Sequence, residues 1–186
     1  MNNDPYPSEY IEEIQLRDGT RVTLRPIRPE DAPLLQEAFT RLSPQTIYMR
    51  FLEIFRHLSD EQARFFADVD YHSKMALVGE IEEDGQVHLI VVARYAMVGP
   101  QDPGVAEAAI VVRDDFQNLG LGTIAMARLL KYAKDHGVKE FLGTIHVSNA
   151  RIMHFIRRSN FPFTKTMIEP GVWEIRVHLD RELEQI

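Results

Sequence analysis

The sequence predicts an α/β fold of the α+β type, with a mixed, mostly antiparallel central sheet flanked by helices. Three observations predict it. Asp18-Gly19 and Glu83-Asp84-Gly85 each interrupt a pair of strand-like runs and read as hairpin turns, which produce antiparallel neighbours. The chain beyond Gly104 reads β-α-β-α-β-β. The first strand of that run, Glu107 to Val112, is almost wholly apolar, the pattern of a central strand covered on both faces.

Each element has a local cause. The Asn-, Asp- and Pro-containing start reads as a flexible leader over residues 1–12, followed by one domain over 13–186. Glu13 to Leu16 and Val22 to Leu24 form the first hairpin. Pro29-Glu30-Asp31 opens a helix whose apolar positions are Leu34, Leu35, Ala38, Phe39 and Leu42. Ser43-Pro44 places a capping hydroxyl before a first-turn proline and starts a second helix. Ser59, before Asp60-Glu61, starts a third, running toward Val69. Met75 to Ile81 and Val87 to Met97 form the second hairpin. A long helix follows Gly122, with Leu121, Ile124, Ala125, Leu129 and Ala133 on one face and Gly137 as its stop. Phe141 to Val147 is a strand. Asn149 caps a last helix with Ile152, Phe155 and Ile156 inward. Strands Thr164 to Ile168 and Val172 to Leu179 close the chain around Glu169-Pro170-Gly171.

The totals bound the function. With 186 residues, 45% hydrophobic and 26% charged, the chain suits one domain with one sizeable core. It has no cysteine, so a disulfide framework, a thiolate metal site and a cysteine nucleophile are excluded, and a reducing cytoplasm is the expected setting. The N-terminus lacks the basic start and apolar core of a signal peptide, and no apolar run approaches the ~20 residues of a membrane span. The net charge of −7 and dispersed basic residues argue against nucleic acid. The seven histidines show no metal-ligand spacing, so no metal is expected. His146 and His154 read as surface or filler residues. Asp114-Asp115 reads as a solvated turn, and Tyr48, Phe51 and Phe55 as core.

Gln117-Asn118-Leu119-Gly120-Leu121-Gly122-Thr123 carries the chemistry. Two glycines at a helix start let backbone amides approach a phosphate. A P-loop fails because Gly122-Thr123-Ile124 lacks the lysine that reaches the terminal phosphates. Gly120 to Ala125 satisfies G-x-G-x-x-A, but Arg113 to Asn118 separate it from its strand, and the next strand ends in Val147-Ser148 without an acid for a ribose. A coenzyme A pyrophosphate is the third option.

The run EAAIVVRDDFQNLGLGT resembles motif A of the GNAT superfamily of N-acetyltransferases, with Gln117, Gly120 and Gly122 in its defining positions. NARIMHFIRRSNF resembles a later motif of the same family, with Asn149 and Phe161 matching and Asn160 where glycine is usual. The runs TLRPIRPEDAPLL, RLSPQTIYMRFL and LSDEQARFFADVDYHSKMALVGEI narrow the resemblance to the acetyltransferase domain of bacterial Pat-type protein-lysine acetyltransferases.

The resemblance implies a GNAT fold and acetyl-CoA as co-substrate. It assigns the coenzyme to the backbone of Ile110, Val111 and Val112, to Gln117, Asn118, Leu119, Gly120, Leu121, Gly122 and Thr123, and to Asn149. Glu107 corresponds to a glutamate acting as general base, and at the start of an apolar strand it is expected to be partly desolvated. Ile156 stands where many members carry a thiolate-protonating tyrosine, which Pat-type domains also lack. The implied acceptor is a protein lysine. Small amines and a non-catalytic coenzyme A-binding role remain alternatives, Glu169 is the reserve base, and a homodimer is left open.

Overall fold

The computed structural model describes residues 6–180. Eight strands, β1 (Glu12–Gln15), β2 (Arg21–Pro26), β3 (Lys74–Glu83), β4 (Gln86–Met97), β5 (Val105–Val112), β6 (Glu140–His146), β7 (Phe163–Glu169) and β8 (Val172–His178), form one sheet in the order β1-β2-β3-β4-β5-β6-β8-β7. Every neighbouring pair is antiparallel except β5 and β6. The helices are α1 (Ala32–Thr40), α2 (Pro44–Phe51), α3 (Asp60–Ala67), α4 (Leu121–Asp135) and α5 (Ala150–Arg158). This is the mixed, mostly antiparallel arrangement read from the sequence. No helix among the described residues is long and apolar enough to cross a membrane.

The caps explain the helix boundaries. Ser43 accepts from the Thr46 amide, and Ser59 accepts from the Gln62 amide while the Gln62 side chain returns to the Ser59 amide. At the hairpin tip between β3 and β4, Asp84 and Gly85 both have positive φ, as a two-residue turn that continues the strand twist requires. Asn160 also takes a left-handed φ of 62°, which explains how it stands where glycine is usual.

Alternation along β5 sends its side chains to two different layers. Ile110 and Val112 face α4, whose Gly122 lies against them, while Val111 lines a small apolar cavity beneath α1 and α2. Gly79 on β3 sits under the start of α4. A Cβ there would come within 2.6 Å of Val91 and 3.1 Å of Val22, so the glycine makes room for these side chains of the neighbouring strands under the helix. A second small cluster, Ile145, Met153, Ile156 and Ile175, fixes α5 to β6 and β8. Met153 is fully inward, while Ile152 and Phe155, expected inward, are only partly buried because they line a cleft.

Two expectations change. The leader placed over residues 1–12 is docked from Tyr6 onward. The Tyr6 hydroxyl donates to the Pro26 carbonyl at 3.0 Å, its ring meets Tyr71, Tyr10 packs on Tyr132, and β1 begins at Glu12. Aromatic burial holds this polar stretch down, a contact invisible in its local composition. Residues 1–5 lie outside the described residues. The continuous burial expected for β5 is also incomplete, because its C-terminal half is only partly covered where β6 leaves it.

Candidate active site

β5 and β6 pair at Val105↔Glu140, Ala106↔Phe141 and Glu107↔Leu142, and then separate. β5 stays on β4 as far as Val112, while β6 follows β8 to His146. The split opens the sheet. The Ala108 carbonyl points across it toward Gly143, and the Val112 carbonyl accepts from the Gln117 side chain at 2.9 Å. By alternation the N–H and C=O of Ile110 also face the opening, without a strand partner there. Val111 turns its backbone the other way, into the ladder with β4. Of the three consecutive residues assigned to the coenzyme, the backbone of Ile110 is therefore the best placed to meet it.

A cleft of about 1040 Å³ runs from this split to the N-terminus of α4. Its floor is the glycine loop. After Arg113 the chain makes a short 3-10 turn over Asp114–Phe116, and Asn118 and Gly120 then adopt left-handed φ of 66° and 94°. Gly120 occupies the position before α4, and no side chain caps this helix. The first-turn amides of Leu121, Gly122 and Thr123 therefore lack intrahelical partners and carry the positive end of the helix dipole. A Cβ on Gly122 would lie 3.3 Å from Val112 Cγ2 and 3.6 Å from Ile110 Cδ1, so glycine lets this turn sit close against the strand end without displacing Val112. A loop with these properties fits a pyrophosphate. Leu119 and Leu121 turn their side chains into the core, leaving backbone for a ligand.

Gln117 has a different role from simple ligand contact. Its amide nitrogen donates to Val112 O and to Thr46 Oγ1, and its oxygen accepts from Arg151. It ties the strand end, α2 and α5 together across the cleft. Asn149 accepts from the Ile152 amide at 3.3 Å, which is the expected N-cap, and it also borders both the cleft and the cavity beyond it.

Asp114 is an exposed turn residue, as expected, but its side chain is engaged as well. Its carboxylate accepts from the Ser43 amide at 2.9 Å, the Ser43 hydroxyl at 2.7 Å and the Thr46 hydroxyl at 2.7 Å. Desolvation pulls its pKa upward, but these hydrogen bonds outweigh it and the net shift is downward. The N-terminus of α2 is thereby clamped to the loop that precedes the glycines. Asp115 pairs with Arg113.

Beyond the split lies a second cavity of about 230 Å³, bordered by Glu107, Arg50, Phe51, Leu52, Phe141 and Ile145. Met49, Arg50, Ile110, Met126, Asn149, Ile152 and Phe155 border both spaces, so the two meet at the opening between β5 and β6. Glu107 stands at the last paired position, where the strands part. It is exposed, contrary to the expected desolvation, because the departure of β6 leaves its side chain at a rim instead of under a neighbouring strand. Accessibility suits a group that must meet an incoming amine. Two guanidinium groups, Arg50 and Arg94, feel its negative charge.

Several cleft residues were not identified from the sequence: Arg17, Thr46, Met49, Arg50, Arg151 and Arg158. Arg17 comes from the first hairpin turn, and its Nε lies 3.8 Å from where a Cβ on Gly120 would stand. An acidic protein thus gathers cations around the loop that suits a phosphate. Ile156, at the place of the missing tyrosine, is buried among Ile145, Met153 and Ile175 and does no proton chemistry.

A family model described as the acetyltransferase (GNAT) family matches residues 35–161, well over half of the chain. The chain belongs to the GNAT acetyltransferases. It is 33% identical over 134 residues to acetyltransferase PA5475 of Pseudomonas aeruginosa, covering 72% of this chain and 71% of that one. It is 28% identical over 145 residues to acetyltransferase Pat of Mycolicibacterium smegmatis, covering 78% of this chain but 42% of that protein. The crystal structure of the GNAT domain of S. lividans PAT superposes with a TM-score of 0.79 at 24% identity, covering 92% of this chain and 98% of that domain. The GNAT fold, the N-acetyltransferase class and the likeness to Pat domains drawn from the motifs agree with these matches.

Proposed function

We propose that this GNAT enzyme transfers the acetyl group of acetyl-CoA to the side-chain amine of protein lysines by direct attack, with Glu107 as general base. The observation that carries this reading is the opening between β5 and β6, which joins the glycine loop at one end to Glu107 at the other. The resemblance of the chain's sequence motifs to Pat-type protein-lysine acetyltransferases supports a lysine acceptor.

Acetyl-CoA supplies an activated thioester. The amides of Leu121, Gly122 and Thr123, with Arg17 and Arg151 nearby, suit its pyrophosphate. Asn149 and the backbone of Ile110 would meet the pantetheine arm, and the Ile110 N–H would polarise the acyl carbonyl. A lysine amine, with a pKa near ~10.4, is almost fully protonated at neutral pH. Glu107, at the rim of the acceptor cavity, accepts that proton directly or through one water. Neither cysteine nor a tyrosine at position 156 is present, so attack is direct and the leaving thiolate takes its proton from solvent.

The test is incubation with labelled acetyl-CoA and a whole lysate. Label on lysine side chains of proteins is expected. Label confined to small amines would replace the acceptor, and tight acetyl-CoA binding without any transfer would leave a regulatory module.

A further inference from the structure

The buried arginines of this chain are matched to carboxylates. Arg25 is held by Asp31 at 2.7 Å and Glu80 at 2.8 Å, and Arg113 by Glu83 at 2.7 Å and Asp115 at 2.8 Å. Both have raised pKa values: desolvation opposes the charge, but the carboxylates more than offset it. Arg50 and Arg94, both half-buried, are not matched in this way. Among the described residues, Arg50 makes no hydrogen bond or ion pair, and Arg94 makes one long bond to the Phe66 carbonyl at 3.5 Å. Their remaining support is aromatic, Arg50 over Phe51 at 4.6 Å and Arg94 over Phe66 at 4.7 Å.

Arg50 borders the same cavity as Glu107, and Arg94 borders the apolar cavity beneath α1 and α2, which Arg50 also reaches. Arg94 pairs with Ala109 and Ala96 with Glu107 across β4 and β5, so Arg94 and Glu107 are diagonal neighbours on one face of the sheet. Arg50 comes from α2 and borders the acceptor cavity as well as the coenzyme cleft. Desolvation and then Arg94 lower its pKa to about 10, with only Glu107 opposing them. The guanidinium nevertheless stays charged at neutral pH. A partly desolvated cation pair with one shared carboxylate leaves positive charge in need of an anion.

We propose that Arg50, assisted by Arg94, forms an anion subsite that takes a carboxylate carried by the acceptor beside its reacting amine. The ammonium then meets Glu107 while the carboxylate meets Arg50, so opposite charges on the acceptor face opposite charges on the wall. For a protein acceptor this selects lysines flanked by aspartate or glutamate. A free amino acid offers the same chemistry through its α-carboxylate. This rests on the acceptor entering beside Glu107, as in the function proposed above.

The experiment uses paired, terminally blocked lysine peptides that differ only in a glutamate or glutamine next to the lysine, together with free amino acids and their amides. Wild-type enzyme is expected to favour the glutamate peptide by about 10- to 100-fold in kcat/KM, the usual effect of a hydrogen bond between charged groups. Arg50→Gln should bring that ratio close to one, Arg50→Lys should retain part of it, and Arg94→Gln should reduce it. Thermal melting confirms that each variant is folded.

The same ratio is then measured as dissociation constants with coenzyme A in place of acetyl-CoA, which needs no turnover. An Arg50-dependent binding ratio without transfer to any amine would sink the enzymatic reading and keep the subsite. Efficient transfer with a ratio near one, or a preference that survives Arg50→Gln, would overturn the subsite. A preference for amino acids over their amides, absent from the peptides, would keep it and place the carboxylate on a small amine.

Discussion

Gly120→Ala separates ligand geometry from stability, because the two effects have different structural causes. Gly120 has φ of 94°, where an L-residue is strained by about 1–2 kcal/mol. The added Cβ would meet nothing closer than Arg17 Nε at 3.8 Å, so no steric clash is added to that strain. For a chain of 186 residues, this corresponds to a fall in melting temperature of about 2–8 °C. Relaxing the strain rotates the peptide that feeds the first amides of α4 and misaims them at the pyrophosphate. Losing one charge-assisted hydrogen bond weakens acetyl-CoA by about tenfold or more. Gly137 supplies the control. It ends the same helix with φ of 81° and no atom within 4 Å of its Cβ position, so Gly137→Ala carries similar strain far from the cleft. Calorimetric titration with acetyl-CoA and thermal melts of both variants complete the comparison. Similar melting losses with an affinity loss only for Gly120→Ala are expected. Equal acetyl-CoA affinity in both would refute the assignment of the loop to the pyrophosphate.

Asn149→Ala deletes an N-cap and should cost about 1 kcal/mol, seen in denaturant titration, while raising the KM for acetyl-CoA; an unmoved KM would reduce Asn149 to a cap. Asp114→Ala should release α2 from the loop and cost about 0.5–1 kcal/mol at neutral pH, once solvent screening is allowed for. Because the folded-state pKa of Asp114 is depressed, its contribution is present above the unfolded value of about 3.8 and disappears as pH falls through the folded value. Melts of wild type and Asp114→Ala should therefore converge below about pH 4, and a constant difference across that range would refute the carboxylate's role.

Local chemistry made much of the fold legible. Ser43, Ser59 and Asn149 announce helix starts because a side-chain oxygen must satisfy a nearby amide, and Asp84-Gly85 announces a turn because few residues tolerate its φ values. The glycine loop was legible for the same reason. The early departure of β6 from β5 was not, since nothing in either strand's composition says where pairing stops. That departure also explains why Glu107 is exposed instead of desolvated. The clamp from Asp114 to Ser43 and Thr46, the Gln117–Arg151 bridge and the docking of Tyr6 all join distant stretches. Arg50 reads locally as an ordinary helix residue, and only the fold shows that it forms no ion pair among the described residues and has Glu107 as its nearby negative charge.

The most direct measurement is the pH dependence of acetyl transfer by Glu107→Gln beside the wild type, with acetyl-CoA affinity measured in parallel. The substitution keeps the shape of the side chain and removes the proton acceptor. Coenzyme affinity should be retained, and turnover near neutral pH should fall by about 10²–10⁴-fold. Part of that loss should return at high pH, where the amine deprotonates without help. Undiminished turnover of Glu107→Gln at neutral pH would contradict the account and place the base elsewhere, with Glu169 on the β7–β8 hairpin the next residue to change.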